Sequence, residues 1–141
     1  VPDWRIGGAT HEQVASVLAL WRAADAPPTV GENPQALSVL LHTDGDALLV
    51  AEVDGAVVGS LIAGWDGWRG SFYRLAVHPD RRRQGLGTAL LREGERRLLE
   101  RGAARLTAIV IDDDPAALEF WLAAGYSRQR HRARFIRSAE E

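Results

Sequence analysis

Residues Leu75 to Leu91 read Leu-Ala-Val-His-Pro-Asp-Arg-Arg-Arg-Gln-Gly-Leu-Gly-Thr-Ala-Leu-Leu. The run passes from an apolar strand, through a basic turn, into a helix opened by glycine. The turn holds Arg82, Gly85 and Gly87 as R-x-x-G-x-G. The first turn of any helix carries amide N–H groups without intrahelical partners and the positive end of the helix dipole. Anions bind there, phosphates above all. Gly85 and Gly87 remove side chains that would keep a phosphate off the backbone, and Arg81, Arg82 and Arg83 add charge. The segment is suited to a phosphate-rich ligand.

The pattern is neither the dinucleotide fingerprint G-x-G-x-x-G nor the Walker pattern G-x-x-x-x-G-K-[ST]. The chain has no lysine, so a phosphate-loop lysine is excluded. Strand, Val77-His78-Pro79, R-x-x-G-x-G and amphipathic helix, in that order, resemble the acyl-CoA-binding motif of the GNAT superfamily of N-acetyltransferases. A second stretch strengthens the resemblance. Asp114, Ala117 and Phe120, followed by Gly125-Tyr126, are similar to the closing motif of that family, commonly N-x-x-A-x-x-F-Y-x-x-x-G-F. The Gly-rich connection Trp65-Asp66-Gly67-Trp68-Arg69-Gly70 and the strand after it look like a bacterial subgroup of small acetyltransferases.

At 141 residues the chain is long enough for one domain with one good core, so residues 1–141 are expected to form a single domain. The net charge of −2 gives no global basic field toward nucleic acid or membrane. There are no cysteines, which rules out disulfides, thiolate metal sites and a cysteine nucleophile together. No apolar run approaches the roughly 20 residues of a membrane span, and no signal-peptide pattern opens the chain. A cytoplasmic protein is the expectation. His11, His42, His78 and His131 are scattered without metal spacing, so no metal is expected.

The elements follow from periodicity and punctuation. Trp4 to Ile6 reads as a first strand, and Thr10 with Gln13 as a capping box. Val14, Val17, Leu18 and Trp21 recur at helical spacing. Asn33 and Pro34 open a second helix whose inner face is Leu37, Leu40 and Leu41. Ala47–Val53 and Ala56–Ala63 are strands joined by Asp54-Gly55, a strong hairpin signal. Phe72–Val77 is the next strand. Leu86, Leu90, Leu91 and Leu98 stripe the main helix, ended by Gly102. Arg105–Ile111 reads as a buried apolar strand. Asp114 and Pro115 open a last helix closed by Gly125. Tyr126–Gln129 and Ala133–Arg137 fit a final strand pair. The order β-α-α-β-β-β-α-β-α-β-β gives an α+β class, a single-layer mixed sheet. The resemblance implies the GNAT fold. That means a mostly antiparallel sheet, helices on both faces and a splay between the fourth and fifth strands.

The resemblance further implies an N-acetyltransferase that takes acetyl-CoA as co-substrate and passes the acetyl group to a primary amine of a small molecule or protein. In this family a bulge splays the fourth strand, and free backbone groups there pair with the pantetheine arm. By resemblance Leu75, Ala76 and Val77 supply those groups, with one N–H at Val77 facing the thioester carbonyl. Arg82, Arg83, Gln84, Gly85, Leu86, Gly87 and Thr88 hold the pyrophosphate, and Asp114 and Trp121 border the cofactor. Trp121 stands where the family usually has a tyrosine that protonates the departing sulfur. Indole has no proton to surrender at neutral pH. Tyr73 and Tyr126 are the only phenols available. Tyr73 is expected to face the substrate cleft, and Tyr126 also reads as a core aromatic.

No general base is legible. Glu52, Asp66 and Asp112 are the nearby carboxylates, and a base acting through water leaves no sequence mark. Trp65 and Trp68 flank Asp66-Gly67, where they either cover a core or wall a pocket for a cationic amine, using cation–π attraction and the Asp66 charge. Acceptor contacts are expected from residues 24–33, 65–70 and 128–133. Arg128, Arg130, Arg132, Arg134 and Arg137 read as a solvated edge rather than a nucleic-acid patch. Trp121 and the missing base keep a second reading open, a catalytically weak acyl-CoA-binding module. A homodimer is compatible with the pattern; neither a nucleic acid nor a membrane is expected as partner.

Overall fold

Asp54 and Gly55 set the middle of the sheet. Both are left-handed, with φ of 49° and 81°, as a two-residue type I′ hairpin requires. They join β2 (Leu48–Val53) to β3 (Ala56–Trp65). The computed structural model describes residues 3–139; the two ends of the expected 1–141 domain lie outside them. Around the hairpin stand β1 (Arg5–Gly8), β4 (Gly70–Val77) and β5 (Leu106–Ala108), giving a five-stranded sheet in the order β1-β2-β3-β4-β5. The first four strands pair antiparallel and β5 joins β4 in parallel.

The helices form where caps and apolar stripes coincide. In α1 (Val14–Ala23), Val14, Val17, Leu18 and Trp21 are buried as their spacing requires. Its entry is fixed by a 3-10 turn in which the Thr10 N–H donates to Gln13 Oε1 at 3.0 Å. The Asn33 side chain accepts from the Ala36 N–H at 2.8 Å and opens α2 (Pro34–Thr43). In α3 (Leu86–Glu100), Leu86, Leu90, Leu91 and Leu98 are all fully buried.

Strand alternation sends these helices to opposite faces. Leu48, Val50 and Ile62 pack with the apolar sides of α1 and α2. Leu61, Ala63 and Phe72 face α3, where Gly94 lets the helix axis come close. A Cβ on Gly94 would sit 2.9 Å from both Leu61 Cδ2 and Phe72 Cε1. The expected α+β class, with helices on both faces of a mostly antiparallel sheet, is therefore what forms.

One compact unit ends at Ala108 and a second begins at Ile109. The second contains α4 (Pro115–Ala123), whose N-cap Asp114 accepts from the Ala117 N–H at 3.2 Å. Within it Trp121 packs edge-to-face against Phe120 and Tyr126, with centroids 5.5 and 5.0 Å apart.

Some sequence expectations change. The strand expected over Arg105–Ile111 is only Leu106–Ala108, and it is not buried; Ile109 and Ile111 are 46% and 74% exposed. The strand pair expected over Tyr126–Gln129 and Ala133–Arg137 does not form, and that backbone is irregular. Residues 127–132 alternate charge with polar side chains, so neither face has apolar area to bury, and Phe135 is 94% exposed. The first strand runs Arg5–Gly8 rather than Trp4–Ile6.

Candidate active site

The departure of β4 from regular pairing defines the site. Ser60 of β3 opposes Ala76, but Ile62 opposes Tyr73, so Leu61 faces two β4 residues, Arg74 and Leu75. That is a β-bulge. Arg74 has φ 56°, left-handed for a residue with a Cβ. On the other edge, β4 pairs with β5 only from Gly70 to Phe72. Among the described residues, no strand pairs with that edge from Tyr73 to Val77. This is the splay expected between the fourth and fifth strands.

Past β4, His78 Nδ1 accepts from the Asp80 N–H at 3.2 Å and caps a short 3-10 turn over Pro79–Arg81. The chain then turns through two left-handed residues, Arg83 at φ 63° and Gly85 at φ 84°. The first intrahelical bond of α3 runs from the Ala89 N–H to the Gly85 carbonyl at 3.0 Å. The amides of Leu86, Gly87 and Thr88 thus precede the ladder, and among the described residues no side-chain cap forms at Gly85. A Cβ built on Gly85 would meet nothing within 4 Å, so the space over the helix end is open. Arg82, Arg83 and Gln84 are exposed. Arg82 also leans back, its guanidinium donating to the carbonyls of Val77 at 3.4 Å and Ala24 at 3.5 Å.

An open strand edge, a bulge and an uncapped helix end joined by an R-x-x-G-x-G turn match the sequence reading, and residues 17–126 match the acetyltransferase (GNAT) family model. The chain belongs to the GNAT family. An acetyltransferase of Sodalis glossinidius (strain morsitans) is 35% identical over 119 residues, 84% of this chain and 84% of that one. Two solved structures share the fold. Ard1 from Thermoplasma volcanium has a TM-score of 0.76 at 19% identity, over 89% of this chain and 84% of that one. The ribosomal-protein-S18-alanine N-acetyltransferase from Escherichia coli has a TM-score of 0.70 at 22% identity, over 86% and 76%. The chain is accordingly an acyltransferase of the GNAT type.

The other sequence candidates fall in three places. Leu75, Ala76 and Val77 lie on β4 directly before the turn, and Tyr73, 44% exposed, precedes the bulge. Trp65, Asp66 and Trp68 sit at the opposite end of β4, some 25 Å from Val77 at the usual rise per strand residue. There Asp66 Oδ1 accepts the backbone N–H groups of Trp68 at 2.8 Å and Arg69 at 2.6 Å. These two bonds lower the Asp66 pKa and keep it ionised. Trp68 does not cover the core. It is 66% exposed with the Arg69 guanidinium 3.7 Å from its ring centroid. Asp114, Trp121 and Tyr126 belong to the second unit. Asp114 is the α4 cap, and Tyr126 is half-buried against Trp121.

Of the remaining carboxylates, Glu52 takes a hydrogen bond from Gln13 Nε2, and Asp112 pairs with Arg128 at 3.5 Å. Among the described residues, no cluster of three or more His, Asp or Glu is placed to hold a metal, and no helix is long and apolar enough to cross a membrane.

Sequence reading missed one polar centre. Arg74 reaches the α1–α2 connection, where Nε donates to Glu32 Oε2 at 2.6 Å and NH1 to the Ala26 carbonyl at 2.7 Å. Burial disfavours the Glu32 charge. Hydrogen bonds from Arg74 and Thr29 outweigh it and hold the carboxyl at about 2. The only sequence signal was an arginine in an otherwise apolar and aromatic strand.

Proposed function

We propose that the protein is an acetyl-CoA-dependent N-acetyltransferase acting on a primary amine of a small molecule or an exposed peptide. The observation that carries this reading is the uncapped N-terminus of α3 under an open space, reached through left-handed Arg83 and Gly85. Acetyl-CoA brings an activated acyl group on a sulfur whose conjugate thiol is weakly acidic. The amides of Arg83 to Thr88 hold its pyrophosphate, with Arg82 adding charge. Leu75, Ala76 and Val77 offer the unpaired β4 edge to the pantetheine arm, and the Val77 N–H stabilises the oxyanion.

The chemistry follows by direct attack. The neutral amine nitrogen forms a bond to the thioester carbon, and the carbonyl electrons move to oxygen. Their return breaks the carbon–sulfur bond, and the sulfur leaves with the electron pair. The surplus amine proton passes to water. A thiol pKa of roughly 8.5 lets the sulfur depart as thiolate, so Trp121 in place of a tyrosine is compatible with turnover. Tyr73, beside the bulge, is the phenol assigned to assist. Trp65, Asp66 and Trp68, at the opposite end of β4, are given no part in this step. The family match spans residues of both compact units, which supports reading them as one acetyltransferase domain.

The test is release of free CoA thiol from acetyl-CoA with two amines, spermidine and a short peptide with a free N-terminal alanine. Amine-dependent release that saturates in either acceptor is expected. Acetyl-CoA binding without amine-dependent release from any acceptor tried favours the second reading, an acyl-CoA-binding module. Trp121 in place of the usual acid motivates that reading.

A further inference from the structure

We infer that Arg74 is a positioning residue whose side chain latches the α1–α2 connection to the β4 bulge, so that the two move as one piece. Its placement beside an acceptor rests on the acetyltransferase reading; the latch itself rests on geometry alone.

The backbone of Arg74 makes the bulge, and its side chain makes the latch. In the left-handed conformation, unusual for a residue with a Cβ, Arg74 sends its guanidinium across to α1. The planar group lies 4.5 Å over the Trp21 ring. From there its donors fan into the connection. NH1 donates to the Ala26 carbonyl at 2.7 Å and NH2 to the Pro27 carbonyl at 3.0 Å. Nε and NH2 take both oxygens of Glu32 in a bidentate pair. Such a fork fixes orientation as well as distance, which a lysine cannot do.

The receiving side is equally built. Glu32 Oε1 also accepts from the Thr29 N–H at 2.8 Å and the Thr29 hydroxyl at 2.6 Å. One carboxylate thereby closes residues 29–32 on themselves and onto the strand. Below the bulge, the Arg74 carbonyl accepts from Ser60 Oγ at 3.0 Å, and Ser60 accepts from the Trp21 indole N–H at 2.9 Å. Arg74 is thus held by its carbonyl, its ring contact and its guanidinium. Contacts to residues 42 to 48 positions away tie the bulge to the connection.

Leu75 and Ala76 follow Arg74 directly, so the latch sets the direction in which their backbone leaves the bulge. Under the acetyltransferase reading, residues 26–32 then form a rigid acceptor-side wall.

Hydrogen exchange on the full chain tests the coupling. In Glu32→Gln, the amides of Ala26 and of residues 29–33 should exchange about tenfold faster, and those of Leu75 and Ala76 should follow by about threefold or more. Arg74→Gly, which accepts the left-handed backbone but removes the latch, should reproduce both changes, and Arg74→Lys should recover part of the protection. Faster exchange in the connection with Leu75 and Ala76 unchanged overturns the inference, as does no change at either place.

Kinetically, Glu32→Gln should raise KM for the alanine peptide about fivefold while the acetyl-CoA Kd stays within about twofold. Equal losses for both ligands overturn the acceptor-side assignment. Failure of the wild-type chain to bind acetyl-CoA removes the acetyltransferase reading, and the exchange data still decide the latch.

Discussion

The Trp21 indole N–H donates to Ser60 Oγ at 2.9 Å, and both side chains are fully buried. Ser60 passes the contact on, donating its own proton to the Arg74 carbonyl at 3.0 Å. A helix on one face of the sheet is thereby tied to the bulge in the strand beyond. Ser60→Ala leaves the indole N–H and the Arg74 carbonyl without this partner in a dry interior. The expected cost is about 1–3 kcal/mol, read as a lower urea midpoint with unchanged slope. A midpoint equal to wild type would mean that water replaces the hydroxyl.

Glu32 makes stability depend on pH in a defined direction. Its folded pKa of about 2 lies below the ordinary 4.5. A carboxylate lowered on folding stabilises above its unfolded value and loses that contribution as pH falls through the folded one. The contribution is therefore complete above about pH 4.5 and gone near pH 2. Allowing for solvent screening of a side chain that is 25% exposed, it amounts to about 1–2 kcal/mol. The stability gap between wild type and Glu32→Gln should be widest near pH 6 and close toward pH 2. A gap constant across that range contradicts the assignment.

Tyr73→Phe removes the phenol beside the bulge while keeping the ring. If that hydroxyl moves a proton in the reaction, kcat should fall about a hundredfold with the acetyl-CoA Kd unchanged. An unchanged kcat/KM for an established acceptor ends the catalytic role of Tyr73 and leaves water as the proton carrier.

Local signals carried most of the fold. Asp54-Gly55, the Asn33 and Asp114 caps and the leucine stripe of α3 each act within a few residues, so their chemistry is visible in one dimension. The R-x-x-G-x-G turn was legible for the same reason, since helix-end amides and left-handed residues are local properties. Two things were not. The Arg74–Glu32 latch joins positions 42 residues apart and leaves no periodic trace. The terminal strands were misread because alternation of arginine with Ser127, Gln129 and His131 has the period of a strand without its apolar face. Period 2 alone does not give a sheet anything to bury. β5 is short for a different reason, because its run is apolar but little of it is paired. Among the described residues β4 is its only strand neighbour, and over three residues.

Binding of acetyl-CoA to the turn before α3 is the most direct test, by calorimetric titration of the wild-type chain, Gly85→Ala and Gly85→Glu. At φ 84° either substitution strains the backbone by about 1–2 kcal/mol, but only glutamate sets a negative charge over the uncapped amides. Micromolar binding by wild type, weakened in Gly85→Ala and abolished in folded Gly85→Glu, is the expected result. No binding by wild type, or full binding by Gly85→Glu, would contradict the assignment of this turn as the cofactor site.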